Sequence, residues 1–189
     1  MTQNPTQNTA QNTAQNTTQN TTSEQTRAVR ERTYSWADPQ VFATAARELD
    51  GLDFFKQLGD SELPPPPINA TLGMDLVEVS DGGAVFELTP EEWHYNPIGT
   101  VHGGILATLA DSALGCAVHT KLKAGTGYTS LDLTIKFTRA ATLDSGTLTC
   151  VGRVVTIGRR AATAEAEITD QTGRVIGHAI ATCLIMAGS

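Results

Sequence analysis

A glycine pair, Gly103-Gly104, is entered through Asn96-Pro97-Ile98-Gly99-Thr100-Val101-His102 and opens straight into Ile105-Leu106-Ala107-Thr108-Leu109-Ala110-Asp111. Two glycines let a ligand approach the backbone, and the first-turn amides of a helix have no internal acceptors, so they can serve an anion or a polarised carbonyl. Asp111, two turns further on, is a carboxylate able to attack an acyl carbon or to activate water. Together these residue types suit addition to a carbonyl: fixed N–H donors favour the oxygen as it gains charge, and the acid group delivers the nucleophile. Alone, a Gly-Gly pair merely turns a chain, and a helix carboxylate merely meets solvent.

The element that must position these groups is a helix over about Gly103 to Leu122. Ile105, Leu106, Leu109, Ala110, Ala113, Leu114, Ala117 and Val118 form one broad apolar stripe along it. At about 100° per residue Asp111 leaves the centre of that stripe and shares a side with Gly104, Thr108 and Gly115. That small, polar side is suited to a neighbour's close approach. Before the helix, Met74 to Val79, the turn Ser80-Asp81-Gly82-Gly83 and Ala84 to Leu88 read as a hairpin. After it come four strands, Tyr128 to Arg139, Gly146 to Thr156, Ala161 to Thr169 and Val175 to Met186. Their turns include Ile157-Gly158-Arg159-Arg160 and Asp170-Gln171-Thr172-Gly173. The expected fold is therefore α+β, a long antiparallel sheet wrapping one helix.

The chain of 189 residues exceeds what that domain needs. Residues 1–30 open with a Gln/Asn/Thr-rich stretch, without charge or large apolar side chains from Thr2 to Thr22, that cannot offset its ordering entropy and reads as a disordered tail. Residues 38–60 carry Val41, Phe42, Ala45, Leu49, Leu52 and Phe55 at helical spacing, interrupted near Gly51, and read as an N-terminal helical extension. Pro64 to Pro67 then predict a stiff, extended linker into a main domain over residues 65–187. No export signal and no bilayer-spanning apolar run is present, so the expected location is cytoplasmic, with no membrane partner. The net charge of −7 argues against a nucleic-acid partner.

The order of these pieces resembles the hotdog-fold thioesterases of the PaaI type, named for phenylacetate degradation. The resemblance runs over roughly Pro65 to Met186. It is carried by Asn96-Pro97-x-Gly99-x-x-His102-Gly103-Gly104, by Pro66-Pro67-Ile68-Asn69-Ala70-Thr71-Leu72-Gly73, by Leu109-Ala110-Asp111-Ser112-Ala113 and by Gly127-Tyr128-Thr129-Ser130-Leu131-Asp132-Leu133. It implies hydrolysis of an acyl-coenzyme A thioester, with an aromatic or medium-chain acyl group, to a carboxylate and free coenzyme A. No cofactor is implied, coenzyme A being part of the substrate. By the same resemblance Asp111 is the catalytic carboxylate, nucleophile or general base; Gly103 offers the N–H that polarises the carbonyl. Asn96 and His102 shape the pocket, and Ser130 positions the carboxylate or water. A dehydratase or hydratase on the same fold and a non-catalytic acyl-CoA sensor are the alternatives.

Gly103 and Asp111 are eight residues apart, about 12 Å along one helix, too far to serve a single acyl carbon. Two antiparallel helices across a two-fold axis would bring Gly103 of one chain to Asp111 of the other. A homodimer with shared sites is therefore expected, and the resemblance extends it to a dimer of dimers. Arg139, Arg159 and Arg160, with Gly104, are candidates for binding the coenzyme A part, the arginines as partners for its phosphates or as ordinary solubility charges. Cys116, about 140° around the helix from Asp111, does not converge with it and His119 into a triad. Cys116, Cys150 and Cys183 read as buried small residues, and His94, His102, His119 and His178 lack metal-ligand spacing. His102 is equally suited to shaping the pocket and to tying down the loop. Asp132 can pair with Lys136 or stabilise the site.

Overall fold

The central helix forms as its periodicity requires and sets the rest of the molecule around it. In the computed structural model, which describes residues 29–60 and 63–187, it spans Gly103–His119 (α4) and buries Leu106, Leu109, Ala110, Ala113, Leu114, Ala117 and Val118. Each large aliphatic side chain taken fully from water there contributes about 1.5–3 kcal/mol before ordering entropy is subtracted. The alanines between them keep the face flat, so the sheet can lie close against it.

That sheet has six antiparallel strands: β1 (Met74–Ser80), β2 (Gly83–Leu88), β3 (Thr126–Phe137), β4 (Leu148–Ile157), β5 (Ala161–Thr169) and β6 (Val175–Ala187). Their order is β1-β2-β4-β5-β6-β3. Strands β2 and β5 alternate buried with exposed positions, and Ala84, Phe86, Leu88, Ala162, Ala164, Ala166 and Ile168 point to the helix. The expected α+β layer arrangement is what the chain adopts. The two edges differ. Both edge strands carry a bulge, but β1 has 7 residues and β3 has 12; among the described residues β3 has no strand on its outer side, with Leu131 60% and Phe137 50% exposed.

The segment ahead of the sheet forms three helices, α1 (Pro39–Glu48), α2 (Gly51–Gly59) and α3 (Pro67–Leu72). The break expected near Gly51 is thus a full separation into two helices. The proline run does not remain an extended linker to its end. Pro67 sits in the first turn of α3, where its missing N–H costs nothing, and Gly73 closes that helix at φ 66°. The α1–α2 extension is held to the end of α4 by polar and aromatic contacts. Gly51 N–H donates to Leu122 O at 2.9 Å, Gly125 N–H donates to Arg47 O at 2.7 Å, and Asp50 accepts from Lys123 Nζ at 2.7 Å and from Ala124 N–H at 2.9 Å. A Cβ on Gly51 would meet His119 O at 1.8 Å, so only glycine admits this approach. Phe54 stacks on the His119 ring at 5.1 Å. The tail expected over residues 1–30 falls, up to residue 28, outside the described residues.

The turn between β5 and β6 is built on Asp170. Its Oδ1 accepts from Thr172 Oγ1 at 2.7 Å, Thr172 N–H at 2.9 Å and Arg174 N–H at 3.0 Å, and its Oδ2 accepts from Arg174 Nε at 2.8 Å. The Thr172 hydroxyl above all, with the Arg174 and Thr172 amides and the Arg174 guanidinium, outweighs burial and holds this carboxyl well below the usual carboxylate range. A carboxylate whose folded pKa is depressed contributes stability above its unfolded value, about 3.9, and that contribution fades as pH falls through the folded pKa. Asp170→Asn is accordingly expected to lower Tm at pH 7 and to lower it less at pH 3. Melting curves at the two pH values check this; an equal loss at both would mean that the charge is not what matters.

Candidate active site

The loop entering α4 is rigid because Asn96 folds it around its own side chain. Asn96 Oδ1 accepts from Ile98 N–H at 3.0 Å and from Thr100 N–H at 3.1 Å, and its Nδ2 donates to Thr100 Oγ1 at 2.9 Å. The main chain closes the same turn: Asn96 N–H donates to Thr100 O at 2.8 Å and Gly99 N–H to Asn96 O at 3.1 Å. Val101 N–H then donates to Ala141 O at 2.9 Å, and His102 N–H to His94 O at 2.7 Å. Asn96 thus shapes the pocket through the backbone it holds.

His94 was not legible as part of this assembly. It is buried, its Nδ1 accepts from Glu91 N–H at 2.9 Å, and its Nε2 lies 2.8 Å from Leu72 O, so the proton belongs on Nε2. Its single sequence cue was position, eight residues before His102.

His102 caps α4. With φ −62° and ψ 133° it stands just outside the helix, and its Nδ1 accepts from Gly104 N–H at 2.9 Å. A Cβ on Gly104 would come within 3.0 Å of that Nδ1, so the second glycine exists to let the imidazole in. The Gly104 amide expected to meet substrate is therefore spent on the cap. Gly103 is different: among the described residues nothing accepts its N–H. That free donor borders a cavity of about 330 Å³ lined by Val101, Leu106, Phe137, Ala141 and the Asn96 loop. Phe137 lies across it, 3.0 Å from where a Gly103 Cβ would stand.

Asp111 occupies the next two turns of α4, half-buried, and its Oδ1 accepts from Ser130 Oγ at 2.9 Å. The inner face of β3 runs along the helix: Phe137 against Gly103, Ser130 against Asp111, Tyr128 against Gly115. A bulge between Ser130 and Asp132 separates these contacts. Asp132 does not turn to Lys136 for a hydrogen bond; its Oδ1 accepts from Thr182 N–H at 3.1 Å, filling the ladder gap that the bulge makes. Gly115 is also not a surface for a second chain. A Cβ there would meet the Tyr128 hydroxyl at 2.7 Å, so its smallness serves a contact within the chain, and Thr108 Oγ1 donates to Gly104 O at 2.9 Å.

The expected coenzyme A residues do not converge. Arg139 follows the Phe137 end of β3, and its guanidinium donates to Val175 O at 2.7 Å. Arg159 and Arg160 lie at the other end of the sheet, where Arg160 O accepts from Ile185 N–H at 2.9 Å and Ile185 pairs with Tyr128. Burial pushes the Cys116 thiol up to about 12, with the Asp111 charge adding, so it is no nucleophile at neutral pH. His119 is lowered by burial, only partly offset by its bond to the Ala46 carbonyl, and packs on Phe54 and Phe55. Cys116 is only partly buried against the core, whereas Cys150 and Cys183 are buried as expected, and His119 is buried.

The family model of the thioesterase superfamily matches residues 98–176, from the loop before α4 into β6. Human acyl-coenzyme A thioesterase 13 is 31% identical over 104 residues, which cover 54% of this chain and 73% of that protein. The chain belongs to the thioesterase superfamily. Another relative of this superfamily member, the 1,4-dihydroxy-2-naphthoyl-CoA hydrolase of Listeria monocytogenes, is 27% identical over 118 residues, 62% of this chain and 93% of that one. The PaaI protein from the phenylacetic acid degradation operon of E. coli superposes with a TM-score of 0.64 at 24% identity, covering 75% of this chain and 99% of that one. That likeness speaks for the fold, and with it the superfamily member is a hotdog protein of the expected kind. Among its described residues no helix is long and apolar enough to cross a membrane.

Proposed function

We propose that this chain is an acyl-coenzyme A thioesterase whose sites are shared between the two chains of a homodimer, hydrolysing an aromatic or medium-chain acyl thioester to the free acid and coenzyme A. The observation that carries the reading is the separation of two half-sites along α4. A Gly103 N–H with no acceptor among the described residues stands at the start of the helix, and an Asp111 carboxylate held by Ser130 stands two turns on. At about 1.5 Å rise per residue they are about 12 Å apart, and both lie under β3, the long strand with an unpaired edge. Such an edge is a template for another chain. Antiparallel pairing of two β3 strands across a two-fold axis sets the Phe137 end of one against the Ser130 end of the other, so each Gly103 meets its partner's carboxylate.

In this assembly the thioester oxygen points at Gly103 N–H, aligned with the positive end of the helix dipole. Either water attacks the acyl carbon while Asp111 takes its proton, or the Asp111 carboxylate attacks and water then cleaves the anhydride. In the first route the C–S bond breaks and the departing sulfur takes the proton that Asp111 accepted; in the second the sulfur leaves as thiolate when the anhydride forms and becomes the thiol with a proton from the water that cleaves the anhydride. His102 caps α4 through Nδ1, and its exposed ring is proposed to face the substrate. The arginines are proposed to meet coenzyme A phosphates from different chains, since Arg139 and the Arg159–Arg160 turn sit at opposite ends of the sheet. Neutralising Arg159 and Arg160 should remove a salt-sensitive part of KM.

An acyl-coenzyme A panel tests the assignment. Release of free thiol supports it; hydration of an enoyl thioester, or saturable binding with neither reaction, would replace it with a hydratase or a sensor. A dimer of dimers, and action in the cytoplasm, complete the proposal.

A further inference from the structure

The proposed chemistry depends on where one amide, Gly103 N–H, points, and the residue before it sets that direction. Two bonds hold His102: its Nδ1 accepts from Gly104 N–H at 2.9 Å, and its own N–H donates to His94 O at 2.7 Å. The first ties it to the helix that follows, the second to the opposite leg of the Asn96 loop. With His102 held on both sides, the planar peptide that carries Gly103 N–H is held as well. Asn96 does not supply the anchor. Among the described residues its bonds reach only Ile98, Gly99 and Thr100, so they shape the loop without fastening it. The fastening comes from His94, which ends the turn Glu92–His94 and is 2% exposed. Its Nδ1 accepts from Glu91 N–H at 2.9 Å and its Nε2 donates to Leu72 O at 2.8 Å. Leu72 is the last residue of α3, where carbonyls lack partners within the helix, and β1 starts two residues later. The ring therefore pins the base of the loop to the junction of α3 and β1. An apolar side chain could fill the same space, but it would leave the Glu91 amide and the Leu72 carbonyl without these partners.

We propose that His94 is a positioning residue for the hydrolysis: its ring seats the loop, its carbonyl holds His102, and through His102 the Gly103 amide is aimed at the thioester oxygen. The inference rests on the thioesterase reading and deepens it. His94 is buried and touches no substrate; it acts beforehand, by denying the donor the freedom to turn away. Misplacing such a group by about 1 Å is enough to cost about a hundredfold in rate. The contacts that bind the rest of the substrate lie elsewhere, so the loss falls on kcat and not on KM.

A double-mutant cycle in the full-length protein, read as thiol release, separates this role from mere support of the fold. His94→Phe keeps a ring and drops both of its bonds, and should lower kcat about ten- to a hundredfold with KM little changed. In the Gly103→Pro background, where the amide hydrogen is gone, the same substitution should lower kcat by less than about twofold. A residue that only supports the fold would cost the same factor in both backgrounds, because it changes the share of active protein and not the aim of the amide. His94→Asn keeps an acceptor for Glu91 N–H, loses the reach to Leu72 O, and should give a kcat between those of the native and Phe proteins. Where the Phe variant shows no cooperative melt, the Asn variant carries the cycle by the same criterion. Native kcat in the variant that carries the cycle, or equal factors in the two backgrounds, would overturn the inference and leave the thioesterase reading standing. A native protein that releases no thiol from any acyl-coenzyme A would instead overturn that reading, and this inference with it.

Discussion

Asp111→Asn is expected to lower kcat by about two to four orders of magnitude while KM changes little. The amide can still accept from Ser130 Oγ, which lies 2.9 Å from the carboxylate in the native chain, so the side chain keeps its place. What disappears is the charge that either takes a proton from water or attacks the acyl carbon. Asp111→Glu, which restores the charge on a longer arm, should fall between. Steady-state thiol release measures all three proteins, and an Asn variant with native kcat would remove Asp111 from the mechanism. A single turnover in heavy-oxygen water separates the two routes: label found in the Asp111 carboxylate marks covalent attack, and its absence marks general-base catalysis.

The second large effect comes from a substitution that deletes one hydrogen. Gly103 is the first residue of α4, where proline is well tolerated, and the preceding His102 already has the extended backbone that proline demands, at φ −62° and ψ 133°. Gly103→Pro therefore removes the open N–H with little strain on the main chain. Loss of one such donor typically costs about 10²–10³ in kcat. The new ring must push aside Phe137, which is half-exposed. Gly103→Ala imposes the same Cβ crowding on Phe137 and retains the N–H, so the Pro–Ala difference reports the loss of the donor together with the ring carbon that takes its place. Comparable activity in the Pro and Ala variants would show that the amide does not stabilise the transition state.

Much of the fold was legible because its determinants are local. The apolar stripe of α4, the alternation in β2 and β5 and the Asp-Gly turn before β2 need no tertiary information, and the strands fall within two residues of their expected bounds. Of the candidate site, residue type and spacing singled out Gly103 and Asp111, the resemblance added Asn96, His102 and Ser130, and the Ser130 hydroxyl donates to Asp111. What escaped depends on contacts between distant segments. Gly115 reads as a gap for a neighbouring chain until Tyr128 is seen to fill it. Gly104 reads as a ligand cradle until the His102 ring claims its amide. Asp132 reads as a partner for Lys136 or a support for the site until the β3 bulge exposes Thr182 N–H. His94 offered only its position before His102 and Phe137 offered no cue, since one acts through a carbonyl 22 residues away in the chain and the other through a ring laid over a glycine.

Mixed dimers of Asp111→Asn and Gly103→Pro test the shared site most directly. Each homodimer lacks one of the two groups at both sites and is inactive. If Gly103 of one chain works with Asp111 of the other, a mixed dimer holds one site with both native groups. Random assortment of equal amounts then restores about a quarter of the native activity. If each chain builds its own site, every site in the mixture is defective, and activity stays at the level of the separate variants.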